Sequence, residues 1–265
     1  MTAALRYEVA RLRTLRSTWW LLGVSLVVAA GIGAIVAWAG TANDLGDNGL
    51  AIALSAGGEF SPVPLPPVLA GLVGVFALGH EYRYGTIRPA LSAVPQRSAL
   101  LLAKVVVTAT WAALVGVVLV AVSYLVLLVF PGQDVAANGV PWDPAGRVAL
   151  GFVVLMALWA LVGLAFAGLT RNLPAAVVLL LVIPLVVEGI LFAVLNFVPA
   201  LDGISWWSKY LPFSAGQAML ATFDPGELGG PDFDLLAPLE GGLVFAGFTV
   251  ILLAITWVLF ERKDA

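Results

Sequence analysis

Apolar residues in this chain run in long uninterrupted blocks, without the strict alternation of a strand or the one-sided stripe of a soluble helix. A helix rises ~1.5 Å per residue, so ~20 apolar residues cross a hydrocarbon layer of ~30 Å. Six stretches reach that length, at about 19–39, 61–80, 98–130, 148–170, 173–198 and 241–260. The first has no charge from Trp19 to Ala39, and the second follows a proline-rich entry at Pro62, Pro64, Pro66 and Pro67. The third is charge-free from Val105, and the fifth contains only Glu188. Backbone amides in hydrocarbon must be satisfied within their own segment, so each block is expected to be helical. The short alternating segments of a membrane β-barrel are missing from the sequence. The fold class expected is an all-α membrane protein, a single domain over 1–265 with six transmembrane helices.

Composition agrees with this pattern. Of 265 residues, 61% are hydrophobic and 11% charged, against about 25% charged in a soluble domain. The chain has no cysteine and one histidine, His80. Disulfides, thiolate metal sites and multi-histidine metal centres are thereby excluded, and no metal is expected.

Charge sets the expected orientation. One side receives Arg6, Arg11, Arg13, Arg16, Arg83, Arg88, Arg97, Lys104, Arg171, Arg262 and Lys263, eleven of thirteen basic residues. The other receives only Arg147 and Lys209, together with most of the acids. Both termini are therefore expected in the cytoplasm, in a multi-pass protein of the plasma membrane. A cleaved signal ending near Ala37-Trp38-Ala39 competes for the first block. That block is longer than the ~7–15 residues of a signal core, and its removal would leave five spans and break the charge pattern.

Residues 1–17 read as an interfacial amphipathic helix. Leu5, Val9 and Leu12 share one face, with Arg6 and Arg13 away from it. Trp19 and Trp20 are the expected headgroup anchors where the chain turns inward. The alternative is a positive flank that only sets topology.

The segment 81–97 between the second and third blocks reads as a break, a short helix and another break. Gly85 can take a left-handed conformation and end the preceding helix. Thr86 can cap the next, Pro89 falls in its first turn, and Pro95 stops it. On local chemistry alone, an ordinary connector fits equally.

The arrangement Glu81-x-x-x-Gly85-Thr86, then Pro95-x-Arg97, then Lys104, resembles the cytoplasmic loop of ABC type-2 permeases. In that family a glutamate, a glycine-threonine pair and a downstream proline-arginine frame a coupling helix that docks on the ATPase. The resemblance implies that Glu81, Gly85, Thr86, Arg88, Pro95 and Arg97 pass nucleotide-driven motion to the membrane helices. It further implies the permease subunit of an ATP-driven exporter. The partners implied are two ABC ATPase subunits, a second permease copy or paralogue, and membrane lipids, with no nucleic acid. No cofactor is expected on this chain, because no G-x-x-x-x-G-K-[ST] loop occurs. ATP and Mg would belong to the partner ATPase. Pro89 departs from the family pattern.

In the external connector 199–240, the apolar stretch Trp206–Phe223 reads as an interfacial or re-entrant element, similar to the family's re-entrant helices. Trp206, Trp207 and Tyr210 are its expected anchors. A plain apolar loop is the alternative. The acids from Asp224 to Glu240 lack calcium-loop spacing and read as a solvated segment.

Glu188 lies deep in the fifth block, where an ionised side chain costs roughly 2–4 kcal/mol. Pro184, one turn earlier, should kink the helix. The resemblance, in whose family the fifth span borders the central pathway, implies a translocation-pathway residue contacting a cationic or polar substrate group. The alternatives are a protonated glutamate bonded to a neighbouring helix, or one reaching toward the outer interface. Asn172 and Pro174 read as the cap and first turn of that block. Gly71, Gly74, Gly163 and Gly168 are expected at close helix contacts. An intramembrane lipid-modifying enzyme and an ion-driven secondary transporter fit less well. The first lacks a catalytic motif around His80, and the second is expected to show internal repeats and several ionisable groups within its spans, where the sequence offers Glu188 and no evident repeat.

Overall fold

The computed structural model describes residues 2–43, 46–58, 63–87, 89, 96–129, 140–222 and 236–263. Among the described residues there is no strand. The helices are α1 (Thr2–Thr14), α2 (Arg16–Asn43), α3 (Gly46–Leu54), α4 (Leu65–Arg83) and α5 (Arg97–Val129). They continue as α6 (Arg147–Thr170), α7 (Leu173–Val182), α8 (Gly189–Phe197), α9 (Pro212–Gln217) and α10 (Pro238–Lys263). Among the described residues, six stretches are long and apolar enough to cross a membrane: Arg16–Ala39, Leu65–Arg83, Arg97–Val129, Trp142–Thr170, Leu173–Phe197 and Pro238–Arg262. They are called spans one to six below.

Spans two and four form the centre of the bundle, 67% and 61% buried, while span five is only 17% buried. Glycine makes the central contact. In lipid there is little hydrophobic gain from pairing apolar helices, so close backbone approach and van der Waals packing must drive it. A Cβ on Gly74 would collide with the Ala160 backbone, and one on Gly163 with the carbonyl of Gly71. Gly71 also faces the carbonyl of Trp159, and Gly168 packs on Thr256 of span six. All four glycines therefore sit where the sequence placed them.

Span four ends in a tight reversal. Arg171 takes a left-handed conformation (φ 52°), and its N–H bonds to the Ala167 carbonyl. Asn172 then caps span five, its side chain accepting from the Ala175 N–H at 3.2 Å, with Pro174 in the first turn. Further along, a π-turn occupies Ile183–Glu188. Proline removes one backbone donor, and a π-turn is a usual way to absorb the resulting break. It joins α7 to α8.

Two features have no counterpart in the sequence reading. The short helix α3 buries Leu50, Ala51, Ala53 and Leu54 beside span one. Nine residues are too few to span a membrane, so this apolar run packs on the bundle instead. The face of α1 that meets the protein is Ala4, Glu8 and Leu12, all buried, whereas Val9 is 45% exposed. The protein-facing stripe thus lies about one position from the expected apolar stripe of Leu5, Val9 and Leu12 and shares only Leu12 with it. The physical reason is Glu8, which turns inward to meet a cation.

Candidate functional site

Three charged side chains meet in the bundle interior where α1 crosses the ends of spans two and three. Lys104 is 0% exposed, Glu8 1% and Glu81 2%. Lys104 Nζ donates to Glu8 Oε1 at 2.6 Å, to Glu81 Oε1 at 2.5 Å and to the Ala77 carbonyl at 3.2 Å. An ammonium has three N–H groups, and all three are used. Arg11 completes the set. Its Nε donates to Glu8 Oε2 at 2.9 Å and its Nη1 to the Phe76 carbonyl at 3.2 Å. Two carboxylates thus face two cations, which is the condition under which charges can remain buried.

Each member is placed by its helix. Glu8 and Arg11 are one turn apart on α1, a spacing that puts them on the same face. Glu81 is in the last turn of span two, and Lys104 is in the second turn of span three. The two spans are the stems of the 84–96 connection. Tyr7, on α1, lies close to the same acids. Burial, followed by the negative charges of Glu81 and Glu8, raises its phenol above the ordinary 10.0.

The other residues expected to frame the coupling loop are dispersed. Gly85 is left-handed (φ +67°) with open space around it, and both Gly85 and Thr86 are exposed. Arg97 does not reach the ion cluster. Its Nη1 donates to the Glu261 carbonyl at 3.1 Å, bridging the start of span three to the end of span six. Arg88 and Pro95 lie outside the described residues. Ile87 and Pro89 are helical. His80 stacks on Phe76, with ring centroids 4.7 Å apart.

Glu188 meets a different partner at the opposite end of the bundle. Its Oε1 accepts from the Phe213 N–H at 2.8 Å, and its Oε2 accepts from the Ser214 N–H at 2.9 Å and the Ser214 hydroxyl at 3.1 Å. The side chain is 4% exposed. A carboxylate of span five therefore satisfies the free N–H groups that open α9. Pro184 stands at the start of the same π-turn. Phe213, bonded to this carboxylate, packs edge-on to Trp159 of span four at 4.9 Å and tilts against Phe245 of span six at 5.3 Å. The apolar segment after span five is thus bolted into the bundle.

The expected anchors are exposed aromatic side chains at the two ends. Trp19 is 57% and Trp20 75% exposed, while Trp206, Trp207 and Tyr210 form a mutual ring cluster in the 3-10 segment Pro199–Tyr210. The acids from Asp224 to Asp234 lie outside the described residues.

Sequence reasoning used Glu81 and Lys104 but overlooked Glu8. The available signal was an acid three residues before Arg11 in an otherwise basic segment. Six apolar spans among the described residues make this a multi-pass membrane protein. Residues 4–187 match the family model described as ABC-2 family transporter protein, and the chain belongs to that family. It is accordingly a permease component of an ABC transporter. The matched region contains Glu8, Glu81 and Lys104 and stops one residue before Glu188. No curated protein matches the chain.

Proposed function

We propose that this chain is the membrane half of an ATP-driven exporter in the plasma membrane, with its basic end and both termini in the cytoplasm. The observation that carries the reading is the Glu8–Lys104–Glu81 cluster, which joins α1 to both stems of the 84–96 loop. A separate ABC ATPase, present in two copies, binds ATP and Mg and docks on that loop. Gly85, Thr86, Arg88, Pro95 and Arg97 shape the docking element, and Glu81 hands its movement to Lys104 and thence to α1. A second permease, a copy or a paralogue, completes the pathway. Export is supported by the family alone. The bias of lysine and arginine supports the orientation.

Glu188 is assigned a mechanical role here. Both of its oxygens are occupied by the start of α9, so it holds the outer segment in place in this conformation. The segment around α9 would then bound the outer mouth of the pathway as a re-entrant element.

The test is co-expression with the cognate ATPase, followed by co-purification and measurement of ATP hydrolysis with and without transport. Gly85→Ala puts a Cβ on a left-handed residue, at a cost of about 1–2 kcal/mol, without a steric clash. The expected result is an intact complex in which hydrolysis no longer tracks transport. A chain that binds no ATPase at all would overturn the reading.

A further inference from the structure

Between spans three and six lies an apolar groove of about 490 Å³, within the size range of small-ligand sites. Leu102 and Val105 line it from span three, and Val250, Leu253, Ala254, Trp257 and Val258 line it from span six. The span-six residues follow the i, i+3, i+4, i+7, i+8 spacing of a single helix face. The opposite face of span six is fastened elsewhere. Thr256 donates to the Ala165 carbonyl at 3.2 Å, and Arg171 donates to that of Leu259 at 2.9 Å. Span six is thus held to span four on one side and leaves the groove open on the other.

The groove has a polar mouth. Arg97 bridges to the Glu261 carbonyl, and Arg262, one turn beyond Val258 on the groove face of span six, is exposed. Among the described residues, a carboxylate stands beside these two guanidiniums: Glu261, whose Oε1 accepts from Trp257 Nε1 at 2.9 Å and so steadies the indole that lines the groove. Depth also fits. Leu102 is five residues beyond Arg97 and Val258 four before Arg262, or ~6–8 Å along their helices. A headgroup layer is ~5–8 Å thick on each side of the hydrocarbon. With the arginines in that layer, the groove begins where acyl chains begin, and it continues ~12 Å further to Val250.

We propose that this groove is a site for an anionic phospholipid, with one acyl chain between spans three and six and its phosphate met by Arg97 and Arg262. Planar guanidiniums are suited to phosphate oxygens. A second copy of the chain is the alternative occupant, and it is one outcome of the test below.

The experiment uses the full-length protein purified in mild detergent, with retained phospholipid counted by native mass spectrometry. Nanodiscs of mixed phosphatidylglycerol and phosphatidylcholine then supply the competition. The expected result is retained phosphatidylglycerol in the native chain, falling about tenfold in Ala254→Trp, which fills the groove. Ile255→Trp, an exposed control away from the lining, should leave retention unchanged. Arg97→Gln with Arg262→Gln should keep a bound lipid but erase its headgroup preference. If Ala254→Trp fails to fold, quenching by brominated phosphatidylglycerol, compared between the native chain and Trp257→Phe, reads the same site. Equal retention in Ala254→Trp, no quenching attributable to Trp257, or no headgroup preference in the native chain would each overturn the proposal. So would a disulfide dimer through Ala254→Cys, which is readily detected because the chain has no other cysteine.

Discussion

Lys104 and Glu8 are 96 residues apart in the chain, yet their charged atoms are 2.6 Å apart in the bundle interior. Neither has water to fall back on. Replacing Lys104 with methionine leaves Glu8 and Glu81 buried without their shared cation, at an expected cost of ~3–5 kcal/mol. Adding Glu81→Gln to Lys104→Met should recover part of that loss, since Glu8 keeps its ion pair with Arg11 and Glu81 is the carboxylate left stranded. Thermal loss of monodisperse protein in detergent measures both. A Lys104→Met variant as stable as the parent would mean that the three side chains do not depend on one another.

The contact between Glu188 and α9 separates into its parts. Ser214→Ala removes one of three donors and should cost ~1 kcal/mol. Glu188→Ala strands two backbone N–H groups and should cost more, ~2–4 kcal/mol, while leaving the helix spans formed. The sensitive measure is maleimide labelling of a cysteine at Met219, which is nearly buried beside the same segment. Labelling should accelerate in Glu188→Ala. An unchanged rate would show that the carboxylate is not what holds α9 down.

Glycine substitutions should divide sharply. Gly74→Ala drives a methyl into the Ala160 backbone, which has no rotamer to yield, so it should prevent normal packing of spans two and four. Gly189→Ala meets nothing within 4 Å in α8. That substitution should be neutral or stabilising by ~0.5–1 kcal/mol, because it only restricts the unfolded chain. Expression yield and thermal stability of the pair give the contrast.

Tyr7 provides a pH test. Its phenol is raised above 10.0 by burial and then by the nearby carboxylates, so the folded state favours the protonated form. The associated stabilisation is complete below pH 10.0, the unfolded value, and is lost as pH rises through the higher folded value. Ultraviolet titration of the native chain against Tyr7→Phe should show one phenol ionising late. A difference spectrum centred at or below pH 10.0 would refute the assignment.

The spans were legible because bilayer thickness imposes a length that few other constraints can mimic. The packing glycines and the Asn172–Pro174 start were legible for a similar reason, since each reflects a local rule about backbone approach or capping. The ion cluster was only half visible. Glu81 and Lys104 stood out through the loop they flank, but Glu8 sits in a basic segment whose apolar periodicity pointed outward. What decides its direction is a lysine on another helix, which no local pattern encodes. Glu188 was conspicuous as a charge, yet its partners are mainly backbone amides in α9, and any residues except proline could have supplied them. Sequence thus exposed the demand for a partner without identifying it.

Spans two and four touch backbone to backbone at Gly74 and Gly163, with no side chain between them to rotate or compress. Such a contact has no alternative rotamers through which to slide, so the pair behaves as a stator. The charged tie at one end and the Glu188 clamp at the other are assembled from side chains that can let go. Rearrangement in this molecule therefore belongs to the parts fastened around that fixed axis.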